Sequence, residues 1–403
     1  MTELAEPGPV RYPMKRTCPF EPPPEYRTLR EAGPIVRAEL PSGRNAWVLT
    51  RYDEVRAVLG DTRFSSDRFH PGFPLILKSG RTAKTRFKPS LISMDPPEHG
   101  PARRAVVGEF TVKRMTELRP RIQKTVDGLI SAMLAGPKPA DLVAELALPV
   151  PSLVICELLG VPYADHEFFQ GRTRIVLTRD IGLDDRQQAL EDLWNYLDEL
   201  VAAKEADPGD DLIGRQVLHQ RASGEVDHEA LVALASLLLV AGHETVSNMI
   251  SLGILALLEH PAQLAALKAD PGKTPGAVDE LLRYFTIAEV ATSRAATADV
   301  EIAGTVIRAG EGVIALSHSA NRDETSFAEP DVLDIERGAR HHVAFGFGPH
   351  QCLGQNLARM ELQIVFDTVF RRMPALRLAA EVESLPFKDD ATVYGLHELP
   401  VTW

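Results

Sequence analysis

The sequence predicts a mainly α-helical fold with a minor share of β-sheet. Apolar residues recur at helical spacing over residues 227–259 and 355–370, which predicts two long helices. Short extended segments come before residue 51 and after residue 299, and most of the chain between them has helical patterns. Because no linker or internal repeat divides the 403 residues, we expect one large domain covering residues 1–403.

The extended segments and helix ends follow from local residue types. Residues 34–40 and 46–50 flank a Pro-Ser-Gly-Arg turn, which indicates a hairpin. A second hairpin is predicted across the turn Ala303-Gly304, followed by a strand over residues 313–316. Asp-Pro-Gly sequences at 207–209 and 270–272 are expected to end long helices.

Composition indicates a soluble protein of the cytoplasm. The net charge of -12 argues against nucleic-acid binding. Three cysteines (Cys18, Cys156 and Cys352) cannot make a disulfide framework and fit a reducing compartment. The N-terminus resembles no signal peptide, and the apolar stretch 230–242 is shorter than the roughly 20 residues that span a bilayer. We therefore expect no membrane segment.

Residues 345–354 form a glycine-rich loop that presents Cys352 and leads into a helix. Glycines at 346, 348 and 354 let the backbone turn and approach the sulfur, where a Cβ would collide. Backbone N–H groups and a following helix N-terminus stabilise a thiolate. A lone cysteine in a turn is more often just a free thiol, but here the whole ten-residue pattern fits. The loop resembles the haem-thiolate loop of the cytochromes P450.

The resemblance extends over nearly the whole chain, from residue 51 to residue 401, and is strongest toward soluble actinobacterial P450s of secondary metabolism and xenobiotic oxidation. It implies the P450 fold and haem b (iron protoporphyrin IX) as cofactor. Cys352 would be the iron ligand, the one metal-binding residue, and Phe345 would pack against the macrocycle. Thiolate ligation favours O–O bond cleavage at haem iron.

The segment Ala241-Gly242-His243-Glu244-Thr245 matches the family's oxygen-activation motif within the predicted long helix. Ala241 and Gly242 would leave room for dioxygen, and the Thr245 hydroxyl can bend the local hydrogen bonding. The resemblance makes Glu244 and Thr245 the catalytic pair that relays protons. Many family members carry Asp at the position of Glu244. We expect His243 to be a hydrogen-bonded structural residue and not an iron ligand.

Basic side chains are needed for the two haem propionates. His99 and Arg103, at i and i+4, face the same way and match the family's propionate pair. Arg294 and His350 match contacts on the other side. Pro101 stands where the family often has a basic residue, so one contact is expected to be absent.

A third family match is Glu280 with Arg283, which share a helix face at i and i+3. Such a pair on a surface contributes little. The resemblance implies instead a buried ion pair that holds the segment leading to the cysteine, with Arg337 as a third member.

The implied activity is monooxygenation, in which a small lipophilic molecule, with or without polar substituents, is hydroxylated with O2. No flavin or iron–sulfur module is found before the chain ends at Trp403, so electrons are expected from a ferredoxin and its ferredoxin reductase. We expect a monomer. Docking of an acidic ferredoxin would need a basic patch on the cysteine side. The candidates are Arg104, Lys113, Arg114, Arg340 and Arg359.

Three alternatives stay open. A P450-type nitric oxide reductase would take electrons directly from NADH. A peroxide-driven fatty-acid hydroxylase would normally lack the acid–alcohol pair. A non-enzymatic haem protein or sensor is disfavoured by the same pair.

One segment departs from the acidic character of the chain. Residues 68–89 carry six basic residues and no acid. The segment is either a solvated loop, a surface that steers a substrate with an anionic or polar portion, or a site for an NADH phosphate. The six residues are Arg68, Lys78, Arg81, Lys84, Arg86 and Lys88.

Overall fold

The computed structural model describes residues 10–76 and 87–403, apart from the side chains of residues 289 and 290. Helices dominate these ranges, with 55% of residues helical and 10% in strands, so the predicted fold class is confirmed. The helices are α1 (Glu25–Ala32), α2 (Tyr52–Gly60), α3 (His99–Val107), α4 (Val112–Ala135), α5 (Pro149–Leu159), α6 (His166–Leu177), α7 (Leu183–Ala206), α8 (Leu212–Ser223), α9 (His228–Glu259), α10 (Pro261–Ala269), α11 (Thr274–Phe285), α12 (Ser317–Ala320) and α13 (Gln355–Arg372).

The strands form three small sheets. The largest has six strands in the order β1, β2, β3, β9, β6, β4, and the others have the orders β10, β11, β5 and β7, β8. The strands are β1 (Val10–Arg11), β2 (Ile35–Glu39), β3 (Asn45–Leu49), β4 (Phe64–Ser65), β5 (Ala140–Asp141), β6 (Ser293–Ala296), β7 (Val300–Ile302), β8 (Thr305–Ile307), β9 (Gly312–Ala315), β10 (Arg377–Leu378) and β11 (Pro400–Thr402).

The predicted turns and breakers lie where expected. Strands β2 and β3 pair antiparallel across the 41–44 turn, and β7 pairs with β8 across Ala303 and Gly304, both at positive φ. Each Asp-Pro-Gly sequence lies between two helices. Asp227 caps α9 by accepting a hydrogen bond from the backbone N–H of Ala230 at 3.1 Å.

Helix α9 is the centre of the helical core. It contacts α5, α7, α10, α11 and α13, and its C-terminal half is buried almost without interruption. Within the described residues, it is the helix long and apolar enough to cross a membrane by length and composition, and half of that apolar window is buried inside the protein. A core helix meets the same criteria.

Candidate functional site

The loop that presents Cys352 is held by its own backbone. The backbone N–H of Cys352 donates to the carbonyl of Phe345 at 2.8 Å. Gly348 has a φ of 71°, and a Cβ there would lie 2.4 Å from the carbonyl oxygen of Leu59, so only glycine fits. The prediction is wrong for Gly354, where the backbone is ordinary and nothing described lies within 4 Å of a Cβ.

The thiol of Cys352 is partly accessible, yet it lies in the protein interior. Burial raises its pKa, while a hydrogen bond from the Gly354 N–H and the charges of Arg103 and Arg359 act in the opposite direction. Helix α13 begins at Gln355, three residues later, so its N-terminus lies near the sulfur as predicted.

Helix α9 carries the residues of the predicted oxygen-activation motif. Ala241 is exposed although it lies in the middle of a core helix, and Thr245 is on the same face one turn later. The hydroxyl of Thr245 donates to the carbonyl of Ala241 at 2.9 Å. This is the local hydrogen bond that the sequence predicts.

Gly242 has a different role from the predicted one. A Cβ at this position would lie 2.8 Å from Cδ1 of Ile155 on α5. The glycine therefore allows α5 and α9 to pack closely, and the exposed residue of the predicted pair is Ala241. His243 is fully buried, with Nδ1 2.7 Å from the Leu239 carbonyl oxygen and its ring edge-on to Phe169, so it is structural as predicted.

Glu244 is paired with a residue that no sequence motif indicated. The ammonium of Lys388 contacts Glu244 Oε1 and donates to Asn248 Oδ1 at 2.9 Å. Burial acts to raise the pKa of Glu244, but Lys388, His243 and Arg174 outweigh it and the pKa is lowered. Lys388 is 144 positions away in the chain, so local spacing contains no signal for it.

Basic side chains converge beside the cysteine loop. Arg103 donates to the carbonyl of Gln351 at 2.5 Å, which links α3 to the residue before Cys352. The rings of His99 and His350 lie 4.1 Å apart. Burial, then Arg294 and His99, lower the pKa of His350 to about 3. The structure therefore brings together all four residues predicted to face propionates.

This cluster has too few carboxylates. Arg294 is 5% exposed, and its described donor contacts are to the backbone carbonyls of Ala291 and Ser293. Burial and nearby Arg68 lower the pKa of Arg294 to about 10. Burial also lowers the pKa of Arg68, and its charge acts on Arg294. It belongs to this cluster, although the sequence suggested only a place in the basic segment.

Two further observations show that the described residues supply this basic cluster with few hydrogen-bond acceptors. The buried Nε2 of His99 has no hydrogen-bond partner among the described residues. Asp95, an acidic neighbour of the cluster, already accepts from the Ser66 backbone N–H at 2.8 Å and from the Ser65 hydroxyl. A buried cation without a counterion is costly. A ligand with more than one carboxylate fits these charges.

Helix α11 carries the predicted ion pair. Arg283 and Glu280 are fully buried and 2.7 Å apart, and Arg337 Nε lies 3.1 Å from the same Glu280 oxygen. The Arg283 guanidinium also donates to backbone carbonyls of Asn321 and Pro330, each at 2.8 Å. Both carboxylate and guanidinium are thus saturated, and Arg337 is the third member, as predicted.

Four of the six basic residues in the segment 68–89 lie outside the described residues. These are Lys78, Arg81, Lys84 and Arg86. Lys88 contacts Asp227, and the neighbouring Phe87 ring stacks on Trp194 at 4.4 Å. A cavity of about 700 Å³ is lined by residues such as Cys18 and Glu381, and its described lining includes none of the predicted site residues.

Comparisons with known proteins agree with this geometry. The sequence model of the family "Cytochrome P450" matches residues 274–384. The chain is 52% identical to pentalenic acid synthase of Streptomyces avermitilis over 99% of this chain and 100% of that protein. This chain is a cytochrome P450.

Solved P450 structures have the same fold. The crystal structure of cytochrome P450 MoxA (CYP105) from Nonomuraea recticatena is 59% identical, with a TM-score of 0.91 and 98% coverage of both chains. The mycinamicin VIII C21 methyl hydroxylase MycCI from Micromonospora griseorubida is 44% identical, with a TM-score of 0.92 and coverage of 98% and 100%. This P450 is a monooxygenase, an oxidoreductase, and its cofactor is haem b.

The described residues fit that cofactor. The cluster of buried bases without enough acids suits the two haem propionates. The described residues contain no group of three or more His, Cys, Asp or Glu that could hold a bare metal ion.

Proposed function

We propose that this P450 hydroxylates a lipophilic small molecule of secondary or xenobiotic metabolism, with electrons from a ferredoxin and its reductase in the cytoplasm. The observations that carry the proposal are the half-buried Cys352 at the end of its glycine-rich loop and the exposed Ala241, one turn before Thr245, in the middle of the core helix α9. The named relatives support the substrate class, since one is a synthase of pentalenic acid and one a hydroxylase of mycinamicin VIII.

In this proposal the residues divide into three roles. Cys352 would ligate the iron, and Phe345 would pack against the macrocycle. The Arg359 guanidinium lies 4.6 Å from the centroid of the Phe345 ring. His99, Arg103, Arg294 and His350 hold the propionates. When bound, the haem supplies the oxygen activation that thiolate ligation favours.

The protein's own part in the reaction is to bind, orient and supply protons. Ala241 leaves space beside α9, and the Thr245 hydroxyl, which donates to the Ala241 carbonyl, has free lone pairs to accept another hydrogen bond. Glu244 is the neighbouring carboxylate that exchanges protons with this hydroxyl. Apolar side chains from several segments exclude water. Leu239 is fully buried on the His243 side of α9, so it does not lie on the Ala241 face.

The ferredoxin would dock on the cysteine side of the protein. Arg104, Lys113 and Arg340 are exposed there, with Arg340 Nε 3.7 Å from Asp279, whereas the less exposed Arg359 pairs with Asp279 at 2.7 Å and Arg114 with Glu117 at 2.9 Å. Two exposed apolar side chains, Val107 and Val112, lie at the ends of the helices that carry Arg104 and Lys113. We therefore narrow the predicted basic patch to its three exposed members.

The docking surface predicts a specific result. Changing Arg104 and Lys113 to Glu should slow ferredoxin-dependent reduction at low salt, and the difference should shrink as salt rises. Arg119→Glu, an exposed change further along α4, is the control. This surface would be ruled out if the Arg104→Glu/Lys113→Glu variant and the Arg119→Glu control were reduced at equal rates at low salt.

The proposed function itself is tested by the CO spectrum of the reduced protein and by the electron donors that turnover requires. Reduced protein with CO should absorb at the position specific for a thiolate-ligated haem, and turnover should need ferredoxin, reductase and O2. If NADH alone rapidly reduces the nitric oxide complex, the nitric oxide reductase alternative replaces the monooxygenase. Absence of the thiolate spectrum would exclude both.

A further inference from the structure

Lys388 is a buried cation that joins the C-terminal segment to α9. Its side chain is 9% exposed, and that of its partner Glu244 is 13% exposed. Asn248, the second partner, is fully buried one turn after Glu244 on the same helix face. One ammonium therefore bridges two α9 side chains, which a mobile surface lysine would not do.

The backbone around Lys388 is held in place. Its N–H donates to the carbonyl of Gly395 at 2.9 Å, and a Cβ on Gly395 would lie 2.2 Å from Asn248 Cγ. Thr392 donates to the carbonyl of Leu177, at the end of α6, through both its N–H at 2.8 Å and its hydroxyl at 3.0 Å. The ammonium is thus presented to Glu244 from a fixed support.

Lys388 also lines a cavity on the outer side of this segment. The cavity has a volume of about 340 Å³, and its lining includes Arg16, Arg179 and the exposed residues Asp389 and Asp390. Water reaches its rim, since these aspartates are exposed. Lys388 therefore lies between a charged, wet cavity and the carboxylate of α9.

The charges around Glu244 favour its ionised form. Lys388 faces it from the C-terminal segment and Arg174 from α6, and the ring of His243 lies beside it on α9. Burial lowers the pKa of His243, so that ring is neutral near pH 7. An ionised Glu244 accepts protons and must be supplied with each one it passes on.

We propose that Lys388 is a positioning residue that holds Glu244 as an anion and connects it to the 340 Å³ cavity, through which protons enter. This rests on the proposed role of Glu244 and Thr245. Glu244 takes each proton from cavity water that the Lys388 ammonium orients, passes it on to Thr245 and so returns to the anion, while the ammonium keeps its own protons. No electron moves, and the charge of the pair is restored.

The first experiment measures the protonation of Glu244 directly. Infrared difference spectra of the ferric holoprotein are recorded near pH 7 for wild type, Lys388→Met, Glu244→Gln and the double variant. We expect a protonated-carboxyl band in Lys388→Met that is absent from wild type and from the double variant. The buried Glu361, whose pKa is raised well above its usual value, contributes equally to all four spectra and cancels.

The second experiment measures proton supply during turnover, with 7-ethoxycoumarin as the probe and a plant-type ferredoxin with its reductase as donor. Lys388→Met should lower product formed per NADPH several-fold, release more peroxide and increase the solvent deuterium isotope effect. Lys388→Arg should restore most of the yield. Lys268→Met, an exposed lysine that donates to the Pro374 carbonyl at 2.9 Å, is the control.

The outcomes separate this inference from the proposed function. If wild type lacks the thiolate CO spectrum or makes no product from the probe, the proposed function fails. If wild type is active but Lys388→Met shows neither the carboxyl band nor a lower yield, the inference alone is wrong. Should Lys388→Met fail to fold, a protonated-carboxyl band of Glu244 in wild type at pH 7, assigned by its loss in Glu244→Gln, would also overturn it.

Discussion

The cysteine side and the Glu244 side of the protein are built in different ways. On the cysteine side, short motifs hold the site: the loop bonds to itself, and Glu280 with Arg283 forms a saturated pair one helical turn apart. On the other side, Glu244 is paired with Lys388 from the far end of the chain. The comparison teaches that holding the cofactor relies on local geometry, whereas proton supply relies on contacts between distant segments.

The strongest test of the cysteine side is Cys352→Ser. A hydroxyl cannot replace a deprotonated thiol with the same donor strength. We expect complete loss of the thiolate CO spectrum and of monooxygenase activity, measured by difference spectroscopy and product analysis. Cys18→Ser, which changes a half-buried free cysteine, should retain both. A Cys352→Ser variant that keeps either property would contradict the assignment.

The second test asks whether the cysteine side depends on the buried ion pair. Glu280→Gln leaves Arg283 buried without its counterion, which typically costs about 3–5 kcal/mol. We expect a large drop in the denaturation midpoint and poor haem incorporation. Glu336→Gln removes an exposed partner of Lys273 and should leave the midpoint unchanged. Equal midpoints for the two variants would show that the pair does not lock the segment.

The third test addresses the Glu244 side, where we expect function to change without loss of cofactor. Thr245→Ala should retain the thiolate spectrum, while product per NADPH falls by about tenfold or more, because a positioned proton donor contributes about 10²–10⁴ in rate. Peroxide should rise in proportion. Thr116→Ala, which removes a similar hydroxyl-to-carbonyl bond on the surface of α4, is the control. Unchanged product yield would make Thr245 a packing residue.

The smallest expected effect concerns pH and the contact of α7 with α9. His228 lies 3.0 Å from Asp198 and 2.9 Å from Glu205. Burial alone would lower its pKa, but these two carboxylates raise it above 6.5. The stabilisation is therefore complete below the unfolded pKa of about 6.5 and is lost as pH rises through the higher folded pKa.

Wild type and His228→Gln should accordingly differ in thermal midpoint at low pH and converge at high pH. The difference should be below about 1 kcal/mol, because the three side chains are partly exposed. Midpoints measured across the pH range test this expectation. A difference that grows with pH would have the wrong sign for a protonated His228.

Much of this protein was predictable from the sequence. The hairpins and the bounds of α9 and α13 follow from residue type and spacing. The resemblance to the cytochromes P450 implied the cluster of Glu280, Arg283 and Arg337 and the grouping of His99, Arg103, Arg294 and His350. Hairpins and helix bounds can be predicted from the sequence because turn chemistry and helix periodicity act over a few residues. Family resemblance supplied the longer-range pairings.

The tertiary structure alone decided three other features. It assigned Gly242 to the contact with Ile155, placed Arg68 beside Arg294 and paired Glu244 with Lys388. Each involves segments separated by many residues, and nothing in the local pattern of either segment specifies its partner. Such contacts arise when the core packs and brings buried charges together, because each of those charges then needs a counterion that only the folded chain can supply.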